Sequence, residues 1–328
     1  MTFIRSITKT ILAITLSCFA VDGFSQIEMI ERPPTEGTEI RYYGTACLTI
    51  YRGGNVLLTD PFISNPTLAQ AMFGKVETDV DYVEKYINPA TFRKVKMVVS
   101  GHSHYDHLLD LPYLCKYIPE TTPLIGNQTA KHILSYYQLK QPVVAVNDSL
   151  GNAESEGLWH YNADSTMRTM AFRSLHPPHF AGINLMNKRY TQDVVSEPVL
   201  MRDWQEGKTV AYLVDWLEEG EIDYRVYFSS SMARKPFGLF PEALLEEKAV
   251  DDLFISGALL SEFEDAPKPI IDLTKPKRIF LLHWENFFRS KEKPVKPINE
   301  KGLGKLIETI KKEYPGIEVI KPVPLNYY

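Results

Sequence analysis

Residues 95–110 have the sequence VKMVVSGHSHYDHLLD, which is the most informative segment of the chain. Its apolar and β-branched start, Val95–Val99, is typical of a buried strand that ends at the turn residues Ser100 and Gly101. Four side chains with metal-binding chemistry follow within six positions: His102, His104, Asp106 and His107. Imidazole and carboxylate groups bind Zn²⁺ and similar cations, and a loop at a strand end can direct several of them at one point. The stretch therefore predicts a metal site.

The spacing within this loop would let two histidines bind the same metal ion. In an extended segment residues i and i+2 lie on the same face, so His102 and His104 can reach one metal ion together. Asp106 and His107 fall where the chain turns into an apolar helix, which we predict for residues 108–117. From there the two side chains would point back into the same cavity.

The motif HSHYDH fits the His-x-His-x-Asp-His signature of the metallo-β-lactamase superfamily, which the chain resembles from about Glu39 to His283. Within the superfamily it looks most similar to the branch of the ascorbate-phosphate lactonases and N-acylethanolamine phospholipases. The resemblance implies an α/β (α+β) fold of four layers, αββα, in which two mixed β-sheets pack face to face with helices outside. It also implies that the metal ligands come from loops along one edge of this sandwich.

The resemblance implies two groups of three ligands: His102, His104 and His176 for one metal ion, and Asp106, His107 and His283 for the other. The segment LHPPHF at residues 175–180 offers a histidine at two positions. His179 is therefore the alternative to His176, and the histidine that is not a ligand would line the pocket or orient the ligand from behind. Asp60, at the end of the preceding strand, would support the metal-binding loop without taking part in catalysis.

One position departs from the family pattern. The family usually has an aspartate that bridges the two metal ions after the strand that we place at residues 224–229, and this chain has Ser231 there. A serine hydroxyl is a poor zinc ligand and brings no charge to offset a second dication. Three outcomes stay open: one tightly held metal ion, two ions bridged by water or a distant carboxylate, or a weakened site. The expected cofactor is one or two divalent metal ions, zinc first, with manganese and iron as alternatives.

The implied function is an exported metal-dependent hydrolase. A bound metal ion lowers the pKa of its water from about 15.7 to about 7, and the resulting hydroxide would attack an ester, lactone, amide or phosphodiester centre. Asp106 would orient it, and His283 or the spare histidine at 176 or 179 would protonate the leaving group. No Gly-x-Ser-x-Gly motif is present, so a covalent serine route lacks support. The alternative is a catalytically altered metal- or ligand-binding module, motivated by Ser231.

The first 25 residues have the pattern of a secretory signal peptide. Arg5 and Lys9 precede an apolar stretch, residues 11–21, that is too short to cross a bilayer as a mature helix. We expect cleavage before Gln26 and a periplasmic or secreted protein without a stable membrane span, with a lipoprotein signal at Cys18 as the alternative. The predicted organisation is a signal peptide (1–25), an N-terminal lead-in (26–38) and a metallo-β-lactamase-fold domain (39–328).

The net charge limits which classes of molecule the protein can bind, and the two remaining cysteines bear on disulfide formation. Cleavage would remove Arg5, Lys9 and Asp22 and leave 34 basic against 40 acidic residues, a formal charge of −6. Because nucleic acid binding needs a basic surface, we expect a small-molecule or lipid-like substrate and no nucleic acid. Cys47 and Cys115 each lie in an apolar context, which favours buried free thiols over a disulfide. The oligomeric state has no signal in the sequence.

Overall fold

Two mixed β-sheets are formed by the residues that the computed structural model describes: 37–177, 185–231, 234–257 and 266–328. The first sheet has six strands: β1 (Glu39–Gly44), β2 (Cys47–Arg52), β3 (Asn55–Thr59), β4 (Val95–Val99), β5 (Leu124–Gly126) and β6 (Val143–Ala145). The second has seven: β7 (Trp159–Tyr161), β8 (Met167–Arg173), β9 (Val210–Glu218), β10 (Glu221–Ser229), β11 (Asp252–Ser256), β12 (Arg278–Leu282) and β13 (Glu318–Ile320).

Nine α-helices are found in the described part of the chain. Six follow strands of the first sheet: α1 (Leu68–Phe73), α2 (Val80–Tyr86), α3 (Pro89–Phe92), α4 (Tyr105–Leu108), α5 (Leu111–Leu114) and α6 (Gln128–Leu134). Three accompany the second sheet: α7 (Leu244–Glu247), α8 (Lys268–Thr274) and α9 (Glu300–Glu313). Several begin at side chains that cap their first backbone N–H groups, such as Asp79 before α2 and Asn127 before α6.

The two sheets share one organisation. Each begins with antiparallel neighbours, β1 to β3 in the first sheet and β7 to β10 in the second. Each continues with parallel strands, β3 to β6 and β10 to β13. Since the carboxyl ends of parallel strands meet at one edge of a sheet, loops that follow these strands are brought together there.

The alternation of buried residues along the strands sets the layers. In β12, Ile279 and Leu281 pack against the helices of the second sheet, whereas Phe280 and Leu282 pack between the sheets. Strand β3 divides its residues in the same way between the first-sheet helices and the space between the sheets. Three buried clusters thus separate helix, sheet, sheet and helix. The predicted four-layer αββα sandwich is confirmed.

Two predicted elements are wrong in their extent. Residues 40–51 have the apolar, β-branched and aromatic pattern that predicts one strand, but they form β1 and β2, because the chain reverses at Thr45, which has a φ of 56°. The helix predicted for 108–117 is instead the two short helices α4 and α5. Pro112, in the first turn of α5, has no N–H to donate to the carbonyl four residues earlier, so one helix cannot run through this segment.

The predicted signal peptide and residues 26–36 of the lead-in lie outside the described residues, so the domain boundaries stay predictions. None of the helices in the described segments combines the length and the apolar character needed to cross a bilayer. Cys47 and Cys115 are both buried and free, as the sequence predicted.

Candidate metal centre

The predicted ligands come from the ends of three strands. The histidine loop, which we define as residues 100–107, follows β4 and ends in α4. His176 follows β8, and His283 follows β12 directly. Strand β4 lies between β3 and β5 in the first sheet, and β12 lies between β11 and β13 in the second. The site is therefore assembled from both sheets of the sandwich.

The side chains form two adjacent groups. In the histidine group, ligand atoms of His102, His104 and His176 all lie within 4.8 Å of one another. The mixed group of Asp106, His107 and His283 meets the same distance. The rings of His102 and His107 have centroids 3.9 Å apart, so the two groups touch. Each group suits one metal ion, and the assignment of these residues as metal ligands stays a prediction.

Protein oxygens contact one ring nitrogen in three of the histidines. His107 Nδ1 lies 2.7 Å from Asp60 Oδ2, and His176 Nδ1 lies 2.6 Å from the carbonyl oxygen of Pro177. His104 Nε2 is 3.4 Å from the carbonyl oxygen of Met186. A metal-bound histidine commonly donates its second ring N–H to such an oxygen, because this fixes the tautomer and the ring orientation. These contacts leave the opposite nitrogen of each ring suited to a metal.

His102 shows most clearly that the site suits a metal ion. Its side chain is buried, and neither ring nitrogen has a hydrogen-bond partner among the described residues. Buried polar atoms in proteins almost always have a partner. Burial, together with the charges on His107 and His176, holds the pKa of His102 well below its usual range. The ring is therefore neutral, which is the form that binds a metal ion, and the residues present fit a divalent cation.

Asp106 supplies the charge of the mixed group. Burial would raise its pKa, but His107 and His283 outweigh that effect and hold the pKa well below its usual range. Its Oδ2 lies 3.6 Å from His107 Nε2 and 3.5 Å from His283 Nε2. For His107 burial lowers the pKa, yet the carboxylates of Asp106 and Asp60 raise it overall. A metal ion entering the mixed group would displace a proton from this cluster.

Asp60 joins the two ends of the histidine loop. It follows β3, is fully buried, and has a left-handed φ of 37°. Its Oδ1 accepts a hydrogen bond from the backbone N–H of Gly101 at 2.6 Å, and its Oδ2 contacts His107 Nδ1. These contacts suit the supporting role predicted for Asp60, and that role stays a prediction.

Glu285 is a second carboxylate that lies behind the site, and this role was not predicted from the sequence. His283 also has a left-handed backbone (φ 54°), and its N–H donates to the carbonyl oxygen of Thr45 at 2.5 Å. Glu285 is buried and accepts hydrogen bonds from the N–H of Thr45 and, at 2.7 Å, from the hydroxyl of Tyr42. The available signal was an acidic residue directly after the apolar β12, since a buried carboxylate needs partners.

The segment after β10 carries the departure at Ser231. Ser230 and Ser231 are buried, and their Oγ atoms have no hydrogen-bond partner in the described part of the chain. Ser230 lies against the histidine loop, because a Cβ built on Gly101 would be 2.3 Å from its Oγ. Asp215, on the neighbouring β9, is paired with Arg168 and Arg225 and so is committed elsewhere. His179 lies outside the described residues, so the choice between it and His176 stays a prediction.

Comparison with known proteins identifies the fold through structure. No family model and no curated protein matches the chain. A metallo hydrolase from the hyperthermophilic archaeon Ignicoccus hospitalis, 15% identical, aligns with a TM-score of 0.52 over 89% of this chain and 97% of its own. An isothiocyanate hydrolase from Delia radicum gut bacteria, 12% identical, aligns with a TM-score of 0.51 over 88% of this chain and 98% of its own.

The chain has the metallo-β-lactamase fold. A diiron β-hydroxylase from Streptomyces venezuelae, 13% identical, aligns with a TM-score of 0.50 over 90% of this chain and 54% of its own. At these identities the likeness shows a shared fold and does not distinguish branches, so the lactonase- and phospholipase-like branch stays a prediction. Two hydrolases and a hydroxylase among three structures also illustrate that a fold does not set the reaction.

Proposed function

We propose that the protein is a metal-dependent hydrolase that holds two divalent metal ions, one in the histidine group and one in the mixed group. The observation that carries this proposal is the convergence of six ligand-type side chains, four of them buried, in two touching groups, with both ring nitrogens of His102 lacking a partner among the described residues. A buried polar atom without a partner costs about 1–3 kcal/mol. A metal ion bound to the ring removes that cost. Five imidazoles and one carboxylate are ligand types that suit divalent transition-metal ions.

Zinc is the expected ion, with manganese and iron as alternatives, because imidazole-rich sites with a carboxylate suit borderline divalent cations. When bound, such ions supply Lewis-acid activation of water and of the scissile group at neutral pH. Both groups are largely buried, so few bulk water molecules compete for the bound ions. The bonds consistent with this chemistry are ester, lactone, amide and phosphodiester bonds.

Side chains of the mixed group orient the reactants. The Asp106 carboxylate lies between His107 and His283, is held ionised by them, and accepts a hydrogen bond from the attacking water. The His283 side chain keeps 15% of its surface exposed, and its Nε2 lies 3.5 Å from Asp106 Oδ2, which suits it to hold the metal ion of the mixed group together with that carboxylate. Asp60 and Glu285 hold the two halves of the group in place from behind.

The proposal also includes the location of the enzyme and the class of its substrate. The signal-peptide pattern in residues 1–25 supports a periplasmic or secreted enzyme. The negative formal charge supports a small-molecule or lipid-like substrate and argues against nucleic acid. Fractionation of cells that express the full chain, followed by N-terminal sequencing, checks the export step and the cleavage before Gln26.

The activity is tested on the chain from residue 26 onward with esters, lactones and phosphodiesters, before and after chelation. Turnover that is lost on chelation and restored by zinc, manganese or iron supports the hydrolase. The variant His102→Ala is expected to lose activity at least about a hundredfold, because it removes a ligand. His160→Ala is the matched control, since His160 contacts Ser149 outside both groups. Full turnover in metal-free protein contradicts the proposal.

A second candidate is a metal- or ligand-binding module without turnover. It is favoured by one observation: among the described residues of the two groups, Asp106 is the one carboxylate, and Ser231 lacks a charge. Ligand binding that chelation leaves unchanged, together with the absence of turnover in the substrate screen, would support the module over the enzyme.

A further inference from the structure

We propose that Asn127 is a positioning residue for the histidine group, and that it acts through Ser103 and the segment 206–208. Ser103 stands between the first two histidines of the histidine loop. The inference rests on the proposed function, because the property that Asn127 controls is the binding of a metal ion by these histidines. It adds to that function a support for the site that is separate from the two carboxylates described above.

The side-chain amide of Asn127 has all of its hydrogen-bonding positions filled. Asn127 follows β5, caps α6 and is 1% exposed. Its Oδ1 accepts from the N–H of Ala130 at 2.8 Å and lies 2.9 Å from Ser103 Oγ. Its Nδ2 donates to the carbonyl oxygens of Glu206 at 2.9 Å and Lys208 at 2.8 Å. One buried side chain therefore connects the start of a helix, the histidine loop and the chain before β9.

The chain before β9 runs directly along the histidine loop. The N–H of Ser103 donates to the carbonyl oxygen of Glu206 at 3.1 Å, and the N–H of Val210 donates to that of Gly101 at 2.8 Å. The hydroxyl of Ser103 also lies 3.0 Å from the Glu206 oxygen. Strand β9 belongs to the second sheet, whereas the loop follows β4 of the first. These contacts therefore fix the loop against the other sheet, while Asp60 ties it to β3 within its own.

Gly207 lets the amide reach two carbonyl groups at once. Its φ of 76° lies in the left-handed region that glycine adopts without strain. The carbonyl groups of the residues before and after it both accept from Asn127 Nδ2. A Cβ at position 207 would lie 2.5 Å from Asn127 Oδ1. The segment and the asparagine are thus closely fitted, and a change in either one would displace the other.

The same segment also supports a ring of the histidine group. The N–H of Glu206 donates to the carbonyl oxygen of Met186 at 2.7 Å, and this oxygen lies 3.4 Å from His104 Nε2. Glu206 therefore contacts Ser103 through its carbonyl group and, by way of Met186, the ring of the next histidine. An oxygen in such a position orients a metal-bound histidine. Displacement of Glu206 would move both the backbone and a ring of the histidine group, whereas other side chains hold the mixed group from behind.

The test measures zinc affinity, by titration with a competing chelator, in two variants that each retain one group. His283→Ala retains the histidine group, and His104→Ala retains the mixed group. In the His283→Ala chain, Asn127→Asp and Ser103→Ala are each expected to weaken zinc binding about tenfold. In the His104→Ala chain, the same two changes are expected to alter zinc affinity by less than about twofold, because sites without shared partners respond independently.

The two substitutions remove different parts of the support. Asn127→Asp keeps the shape and the oxygen that caps α6, but it presents a second oxygen to the carbonyl groups of Glu206 and Lys208. Ser103→Ala removes the hydroxyl and leaves the cap intact. If Asn127→Asp does not fold, Ser103→Ala therefore carries the test by itself.

Asn162→Asp is the matched control. Asn162 is also buried, and its amide accepts from the N–H of Met167 and donates to Asp164 in the turn between β7 and β8. This change is expected to lower the free energy of unfolding in denaturant and to leave zinc affinity unchanged in both variants. Equal weakening by Asn127→Asp in both variants, or unchanged affinity in the His283→Ala chain, overturns the inference. A wild-type chain that binds no zinc overturns the proposed function instead.

Discussion

Asp60 and His107 share a hydrogen bond of 2.7 Å between Oδ2 and Nδ1, and both side chains are buried. The other carboxylate oxygen of Asp60 accepts from the N–H of Gly101 at 2.6 Å. One side chain thus fixes both the first turn of the histidine loop and the ring orientation of its last histidine. Asp60 follows β3 and the loop follows β4, and these two strands are paired. The contact therefore fixes the position of the loop relative to the sheet.

Asp60→Asn is expected to weaken metal binding by about ten- to a hundredfold. The amide has one oxygen, so it cannot accept from both Gly101 and His107 as the carboxylate does. Metal affinity is measured by titration with a competing chelator. Asp193→Asn is the matched control, because Asp193 contacts His132 at 2.8 Å in the same way but at the surface. Equal affinity in Asp60→Asn and wild type would show that the contact is not needed.

Glu285→Gln is expected to lower metal affinity in the mixed group more than in the histidine group. Glutamine cannot accept from both Tyr42 and Thr45 through two charged oxygens, and Thr45 holds the backbone of His283. The expected result is loss of about one metal equivalent per chain at limiting metal, measured by elemental analysis. Glu292→Gln, which removes a surface contact with Lys85, should leave the metal content unchanged. Loss of both equivalents together would argue for a general defect in folding.

Gly101→Ala is expected to destabilise the fold by about 1–3 kcal/mol, because overpacking a filled core has a cost of that size. The added Cβ would lie 2.3 Å from Ser230 Oγ, while the next atom, the carbonyl oxygen of Val210, is 3.5 Å away. Adding Ser230→Ala should recover most of the loss. Denaturant unfolding of the two single variants and the double variant measures the coupling.

Gly316→Ala serves as the control for this cycle, because a Cβ there would meet nothing within 4 Å. It should leave the free energy of unfolding within about 0.5 kcal/mol of the wild type. If the double variant is no more stable than Gly101→Ala, Ser230 does not pack against the histidine loop as described.

The thiols of Cys47 and Cys115 are expected to resist modification in the native protein. Burial raises the pKa of each to about 12, and the thiolate is the reactive form. A chain that begins at residue 26 should therefore react slowly with a disulfide reagent when folded and release two equivalents of thiol in denaturant. Rapid reaction of either cysteine in the native state would show that its surroundings open.

The histidine loop could be predicted because a strand-and-turn pattern and side chains that bind metal ions occur in the same short segment. A buried strand followed by turn residues and four ligand-type side chains places His102 and His107 at one strand end without any knowledge of the rest of the chain. The link from this loop to His176 and His283 depends on strands far apart in sequence. It came from resemblance to a family, since neither histidine has a local pattern that separates it from a structural one.

Other features were set by tertiary contacts that no local pattern reveals. The division of residues 40–51 into β1 and β2 depends on the left-handed conformation of Thr45, which its contacts with Glu285 and His283 stabilise. The role of Glu285 follows from the same long-range contacts. Ser231 was recognised as a departure from a pattern, but its burial and the position of Ser230 against Gly101 are properties of the folded chain.

Metal content per chain is the most direct measurement, made by elemental analysis of protein purified from residue 26 onward and reconstituted with zinc, manganese or iron. Two equivalents are expected, one for each group of ligands. His104→Ala and Glu285→Gln should each lower the value by about one equivalent, from the histidine and the mixed group respectively. A single equivalent would restrict the chemistry to a mononuclear site, and a chain that binds no metal after reconstitution would contradict the metallo-hydrolase.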